Sequence, residues 1–315
     1  MKTQITRRRF IACSGMALAA SSAKPLLAAE KPEPVIDIHQ HTGYHGRSDQ
    51  QFVAHQRAMG ITTTIILPAG TYVDLPSTRD GRSNGLAARC TGTEDAVKLA
   101  KEFPKEMVFF CNEVPDMPGA RKNLEKWLKM GAIGIGEQKF HLDVESKPMR
   151  MIYDLAKEYG VPVLMHFQHK TYNLGFERFH KILEKYPTVN FIGHAQTWWG
   201  NIDKKHEQKT LYPALGAKVT PGGITDRLLS EYPNMFADHS AGSGLRALLR
   251  DEEHTTAFLE RHQDQLLYGS DCKDTIGRGP GCQGAQTLKT LRRLAPNKKV
   301  ERKILYENSK KLFKL

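Results

Sequence analysis

Val35-Ile36-Asp37-Ile38-His39-Gln40-His41 opens with β-branched residues and ends with two histidines two positions apart. Side chains alternate along a strand, so His39 and His41 point to one side and can grip one ion. Similar short apolar runs recur downstream: 62–67, 107–111, 132–139, 162–166, 189–194, 235–239 and 266–270. With the first run they make eight. Helical patterns fall between them, at 50–59, 93–103, 119–130, 148–159, 175–186, 241–249 and 255–262, and two more at 283–294 and 300–312 close the chain. Several stop at Met59-Gly60, Tyr159-Gly160 or Tyr186-Pro187, which are good helix terminators. Alternating strand and helix units imply parallel strands with crossover helices. Eight such units after a short N-terminal segment match an α/β fold of the (β/α)8 TIM-barrel type, for which about 250 residues are typical. A doubly wound open sheet is the alternative, but the glycine-rich phosphate loop that usually opens one is missing from the sequence. Residues 30–315 therefore read as a single barrel domain.

A barrel of this kind places its active site at the C-terminal ends of the strands. Those ends are uniform in chemistry. Strand one ends in His39-Gln40-His41, strand four in Glu137-Gln138-Lys139, strand five in His166, strand six in His194 and strand eight in Ser270-Asp271. Each residue alone has a bland reading: a hydrogen-bonded core histidine, or for Asp271 a helix N-cap. Four imidazoles and a carboxylate converging on one axis instead predict a metal site.

The order H-x-H, an acidic or lysine ligand after strand four, then His, His and Asp after strands five, six and eight resembles the amidohydrolase superfamily. The segments 35–41, 160–166, 189–194 and 267–271, with the ending Ile304-Leu305-Tyr306-Glu307-Asn308, are similar to its amidohydrolase-related (amidohydrolase 2) branch of metal-dependent TIM-barrel hydrolases. The resemblance spans essentially the whole barrel. It implies His39, His41, His166 and Asp271 as core ligands, and His194 as ligand to a second ion or as a hydrogen-bonding group beside the first. At strand four it implies either a bridging glutamate or a carbamylated lysine. Glu137 and Lys139 share parity, and Glu137 is favoured as ligand with Lys139 as a substrate-anion contact.

Mechanism follows from the ligands. One or two divalent ions, zinc most naturally, lower the pKa of bound water towards about 7 and polarise a carbonyl. Asp271, with His194 and Lys139 as further catalytic candidates, would move the proton to the leaving group. The product would be a cleaved amide, ester or lactone of a small polar substrate. The same ligand set also serves decarboxylation of a small unsaturated or aromatic acid, and a non-catalytic periplasmic binding protein is the rival of another class. Trp198 and Trp199 after strand six can wall a pocket or pack their loop on the barrel. His169, Tyr172 and Asn173 after strand five, and Arg278 after strand eight, are candidate substrate contacts. His45, His141 and His239 are weaker ones, and the glycine-rich 240–244 turn opens a helix that can receive an anion.

The N-terminal segment carries Thr6-Arg7-Arg8-Arg9-Phe10-Ile11, a mild apolar stretch, and small residues around Ala23 and Ala28-Ala29. It resembles a twin-arginine signal peptide, cleaved after Ala23 or Ala29, which implies the twin-arginine export machinery as a partner and a periplasmic destination. Loss of residues 1–29 removes Lys2, Arg7, Arg8, Arg9 and Lys24 with no acid, so the net charge falls from +12 to +7. The remaining basic residues are scattered, and the densest group, Lys298 to Lys314, alternates with apolar residues as a solvated helix face does. That argues against a nucleic-acid site. No apolar run reaches the roughly 18 residues of a membrane span. Cys90, Cys111, Cys272 and Cys282 remain after processing; export permits disulfides, three pairings are possible, and Cys272 with Cys282 is the closest in sequence. None has the C-x-x-C spacing of a structural zinc site.

Overall fold

The computed structural model describes residues 33–78 and 89–315, and among them the eight expected strands alternate with helices. The strands are β1 (Ile36–Gln40), β2 (Thr63–Ile66), β3 (Met107–Phe109), β4 (Ile135–Gln138), β5 (Val163–His166), β6 (Phe191–His194), β7 (Met235–Asp238) and β8 (Leu266–Leu267). Residues 1–29, read as an export signal, lie outside the described residues. Every ladder is parallel, in the orders β1-β2-β3 and β4-β5-β6-β7-β8. Main-chain bonds bridge both seams between the two sheets. Cys111 N–H donates to Gly134 O at 3.0 Å and Gly136 N–H to Cys111 O at 2.9 Å; on the other side Ile38 N–H donates to Tyr268 O at 3.1 Å and Asp271 N–H to His39 O at 2.8 Å. The result is a (β/α)8 barrel.

Alternation along each strand sorts its apolar residues into two layers. Ile36, Ile65, Leu67, Leu164, Ile192 and Leu267 fill the barrel interior with Phe110, whose ring meets Phe313 of the last helix at 5.8 Å. Their sequence neighbours Ile66, Val163, Met165 and Phe191 pack outward under the helices. Strands buried on both faces are therefore nearly continuous apolar runs, and this is why they stand out in the sequence. Two of them carry an extra residue. β1 slips against β2 between Asp37 and Gln40, and β4 slips against β5 between Ile135 and Gln138. Bulges of this kind re-aim side chains beside active sites. In β1 the slip allows Ile38 to join the interior layer while His39 still faces the barrel axis.

The helices are α1 (Asp49–Ala58), α2 (Thr93–Glu102), α3 (Ala120–Lys129), α4 (Lys147–Tyr159), α5 (His180–Lys185), α6 (Ala195–Gly200), α7 (Ile224–Glu231), α8 (Ala241–Arg250), α9 (Glu252–Arg261), α10 (Gln283–Leu294), α11 (Lys298–Arg302) and α12 (Asn308–Phe313). Local chemistry sets their ends. Ser48 and Gln51 form a reciprocal capping box on α1, and α4 runs from a Ser146 cap with Pro148 in its first turn to Gly160 in the left-handed region. The helix expected at 175–186 is a 3-10 turn, Phe176–Arg178, followed by the short α5. That expected at 300–312 is α11 and α12 joined by a π-turn, Lys303–Glu307. Helices α6 and α7, after β6, had no counterpart in the sequence reading. Among the described residues no helix is long and apolar enough to cross a membrane.

Candidate metal centre

Strand ends bring His39, His41, Glu137, His166, His194 and Asp271 together at the mouth of the barrel. His39 and His194 rings are centred 4.5 Å apart, His39 and His41 5.0 Å, and His166 and His194 5.2 Å. The last distance follows from register, because His166 and His194 are direct partners across β5 and β6. Glu137 sits centrally, with Oε2 3.5 Å from His39 Nε2 and 3.9 Å from His41 Nε2, and Oε1 3.6 Å from His194 Nε2. It also bonds His166 Nδ1. Gly136, at φ 146°, precedes it, and a Cβ there would lie 2.9 Å from Leu164 O, so only glycine lets β4 approach β5 at this point. Asp271 closes the ring, with Oδ1 3.4 Å from His41 Nε2 and Oδ2 4.0 Å from His39 Nε2.

Each of three imidazoles is held from behind, through Nδ1. Asp238 Oδ2 takes His39 Nδ1 at 2.6 Å, Leu67 O takes His41 Nδ1 at 2.6 Å, and His194 Nδ1 lies 3.0 Å from Ser240 Oγ and 3.2 Å from Asp238 Oδ2. Ser240 Oγ donates in turn to Asp238 Oδ2 at 2.7 Å. With Nδ1 held by these acceptors, each ring in its neutral form turns its Nε2 lone pair inward, as metal-bound histidines with outer-shell partners do. Sequence reasoning missed Asp238 and Ser240. The available signal was strand seven's own end, Asp238-His239-Ser240, where the neighbouring His239 was singled out instead.

The charges call for a cation. Buried His39 Nε2, His41 Nε2 and Asp271 Oδ1 have no hydrogen-bond partner, and two triads, His39-His41-Asp271 and His39-Glu137-His194, bring their donor atoms within 4.8 Å of one another. Burial alone would push the Asp271 carboxyl up, but His39 and His41 pull it down to about 2. Glu137 is likewise held well below its usual range against burial by His166 and His39. Burial disfavours a charged His39, yet Asp238 and Asp271 outweigh it and raise its pKa well above the usual value. His166, desolvated and facing Lys139, falls to about 4. Three carboxylates at one buried point attract positive charge, and imidazole with carboxylate donors is a set that suits a divalent ion.

A cavity of about 730 Å³ opens over this centre, reached by Lys139, His166, His194 and Asp271, with Tyr44, His45, Gln196, Tyr212 and Gln283 around it. Lys139, half-buried with its Nζ 5.5 Å from the Tyr172 ring centre, reaches the cavity, while Glu137 lies among the histidines. Other expectations fail. Trp198 is fully buried against Phe167 and Phe176, and Trp199 is buried with Nε1 donating to Asp238 O at 3.0 Å and its ring on His239; both pack their loop on the barrel instead of walling the pocket. His169 lines a separate cavity with His141 and Gln168, and Arg278 is exposed away from the pocket lining. Asn173 is structural, its amide donating to Gln138 O at 2.6 Å and His166 O at 2.8 Å. The 240–244 turn does open α8, but the Ser240 hydroxyl is committed to the histidines.

A family model described as amidohydrolase matches residues 36–315. No curated protein matches the sequence. Among solved structures, an uncharacterised TIM-barrel protein from Bordetella bronchiseptica is similar with a TM-score of 0.61 and 13% identity, covering 90% of this chain and 99% of that one. A probable 2-pyrone-4,6-dicarboxylic acid hydrolase from Acinetobacter baumannii, with citric acid bound, gives a TM-score of 0.58 at 14% identity over 89% and 99% of the two chains. A 2,6-dihydroxybenzoate decarboxylase from Rhizobium gives 0.55 at 13% identity over 90% and 99%.

Proposed function

The chain belongs to the amidohydrolase family, and on that premise we propose that it is an exported, metal-dependent hydrolase that opens an amide, ester or lactone bond in a small polar substrate. The observation that carries this reading is the Asp271 carboxylate, ionised and at the cavity mouth, beside the partnerless Nε2 atoms of His39 and His41. His39, His41, Glu137, His166, His194 and Asp271 would hold one or two ions, zinc being the natural choice for such donors. Bound there, the ion supplies Lewis acidity to a carbonyl and an acidified water. Asp271 accepts the proton of the attacking water and returns it to the leaving group. His194, braced through Nδ1 by Ser240 and Asp238, would present its Nε2 lone pair to the same point. Lys139, on the cavity side of β4, orients an anionic group of the substrate. With residues 1–29 as a twin-arginine signal, the enzyme crosses the membrane folded and acts in the periplasm.

A second reading, decarboxylation of a small aromatic or unsaturated acid, is favoured by the resemblance to a dihydroxybenzoate decarboxylase and by Lys139 facing the cavity, where it suits a carboxylate. The experiment that separates them incubates the protein, as isolated, with panels of carboxylated lactones and esters and of hydroxylated aromatic acids. Ring-opened or cleaved products that vanish on chelation and return with zinc support hydrolysis. Carbon dioxide release without any cleavage product overturns it in favour of the decarboxylase.

A further inference from the structure

Beside the substrate cavity, whose wall includes Cys272 and Asp274, a second set of donors converges. Asp271 leads directly into a loop, Cys272 to Cys282, that folds back onto α1. Gly277 within it sits so close to the helix that a Cβ would lie 2.3 Å from His55 O, and its φ of 77° also requires glycine. Asp274 Oδ2 ties the loop's bend through the amides of Ile276 and Gly277 at 2.9 and 2.7 Å. Inside this fold-back, Cys272 Sγ and Cys282 Sγ lie 3.8 Å apart, and His55 Nε2 of α1 is 3.4 Å from Cys282 Sγ. The thioether of Met59, one turn along α1, stands 3.6 Å from the same sulfur. All three of His55, Cys272 and Cys282 are buried.

These separations match a coordination shell. A tetrahedral zinc ion, with sulfur at about 2.3 Å and nitrogen at about 2.0 Å, sets its two sulfurs about 3.8 Å apart and sulfur from nitrogen about 3.5 Å. The Cys282 sulfur also has the outer contact of a ligand, as Ala285 N–H donates to it at 3.4 Å at the start of α10. Two thiolates neutralise a divalent ion, so the loaded site buries no net charge; loading releases both thiol protons to solvent.

We propose that His55, Cys272 and Cys282 form a second, structural site for a thiophilic divalent cation of the zinc class, with Met59 or Asp274 beside the fourth position. Its occupant staples the loop that follows Asp271 to α1, and its donors are distinct from those of the barrel centre.

The test uses the full chain, reduced and never chelated, with zinc content and the cobalt(II) spectrum as readouts. Wild type should hold one more ion per chain than a Cys272→Ser, Cys282→Ser variant, and a His39→Ala, His41→Ala variant should keep that extra ion. The cobalt(II) form of the wild type, and of the His39→Ala, His41→Ala variant, should show a sulfur-to-cobalt charge-transfer band in the near ultraviolet, since neither donor triad of the barrel centre contains a thiol. Should the serine variant fail to fold, the band decides alone. Equal metal content in wild type and serine variant, or a reduced wild type without the band, would overturn the proposal. So would a Cys272–Cys282 disulfide that, once reduced, leaves thiols unable to take up cobalt.

Discussion

Asp238→Asn is isosteric, so the barrel should fold, yet it changes the grip on two histidines of the candidate metal centre. In the native chain one oxygen, Oδ2, takes His39 Nδ1 at 2.6 Å, Ser240 Oγ at 2.7 Å and His194 Nδ1 at 3.2 Å. An amide oxygen can keep those contacts only as a neutral acceptor, and the amide nitrogen, if it turns inward, donates where the imidazoles also donate. The charge that makes His39 Nε2 electron-rich is lost in either case. Removing an outer partner of a metal-bound histidine weakens binding roughly 10- to 100-fold, or about 1.4 to 2.7 kcal/mol. Because Asp238 serves two histidines, the upper half of that range is expected. His41, held by the Leu67 carbonyl, is untouched, so binding should weaken without being abolished. Competition against a chromophoric zinc chelator measures it, with circular dichroism as the check on folding. An unchanged affinity in a folded variant would refute the idea that Asp238 sets the tautomer and field of the site.

Asp271→Asn should lower kcat at least about 100-fold while leaving the fold intact, since a proton-transferring group contributes roughly 10² to 10⁴; retained turnover would remove Asp271 from the chemistry. Trp198→Ala should destabilise the barrel by about 3 to 5 kcal/mol in denaturant titrations without raising KM, whereas a KM effect in the folded fraction would restore Trp198 to the pocket wall. Gly269→Ala puts a Cβ 2.4 Å from Asp238 Oδ1 and 2.9 Å from His39 Cβ, so metal content by elemental analysis should fall in parallel with that of Asp238→Asn. Burial raises Asp226, but bonds from His262 at 2.6 Å and Arg261 at 2.8 Å hold it far below its unfolded value. Its stabilisation is therefore complete above about pH 5 and lost as pH falls towards the folded pKa. Asp226→Asn should flatten that acid limb in urea titrations, and an unaltered limb would show the ion pair to be inert.

The barrel was legible because its strands are buried on both faces, which leaves β-branched runs that no helix pattern imitates. Strand ends were less so: β8 is only Leu266–Leu267, since the chain leaves the ladder where Ser270 turns to bond Asp37. The short helices α6 and α7 escaped notice because neither is long enough to show a period, and α7 hides its polar Thr225 and Asp226 as well as its leucines. That His39, His41, Glu137, His166, His194 and Asp271 gather at the barrel mouth was readable from strand ends, although His166 falls in neither donor triad and instead bonds Glu137 and Gln168. The β1 bulge that lets Ile38 and His39 both face inward was not, because register is a property of two strands. Asp238 escaped for a related reason: it touches no ligand position in sequence, and its role exists only after β7 lies beside β1 and β6. Trp198 and Trp199 misled because aromatic side chains after a ligand strand serve a pocket and a core equally well.

The seam between β8 and β1 joins the two ends of the barrel domain. There the Asp271 amide bonds the His39 carbonyl, Ser270 Oγ bonds Asp37, and Gln40 reaches Ser270 Oγ at 2.7 Å and Cys272 O at 3.0 Å. The partners are separated by more than two hundred residues of chain, the costliest kind of loop to close and the last to be rewarded. A chain that has built seven strands thus has most of its imidazoles but no joined pair of His41 and Asp271. In the metal-loaded enzyme proposed above, uptake at full affinity would report that the final strand has docked, which would make ion binding a late test of complete folding.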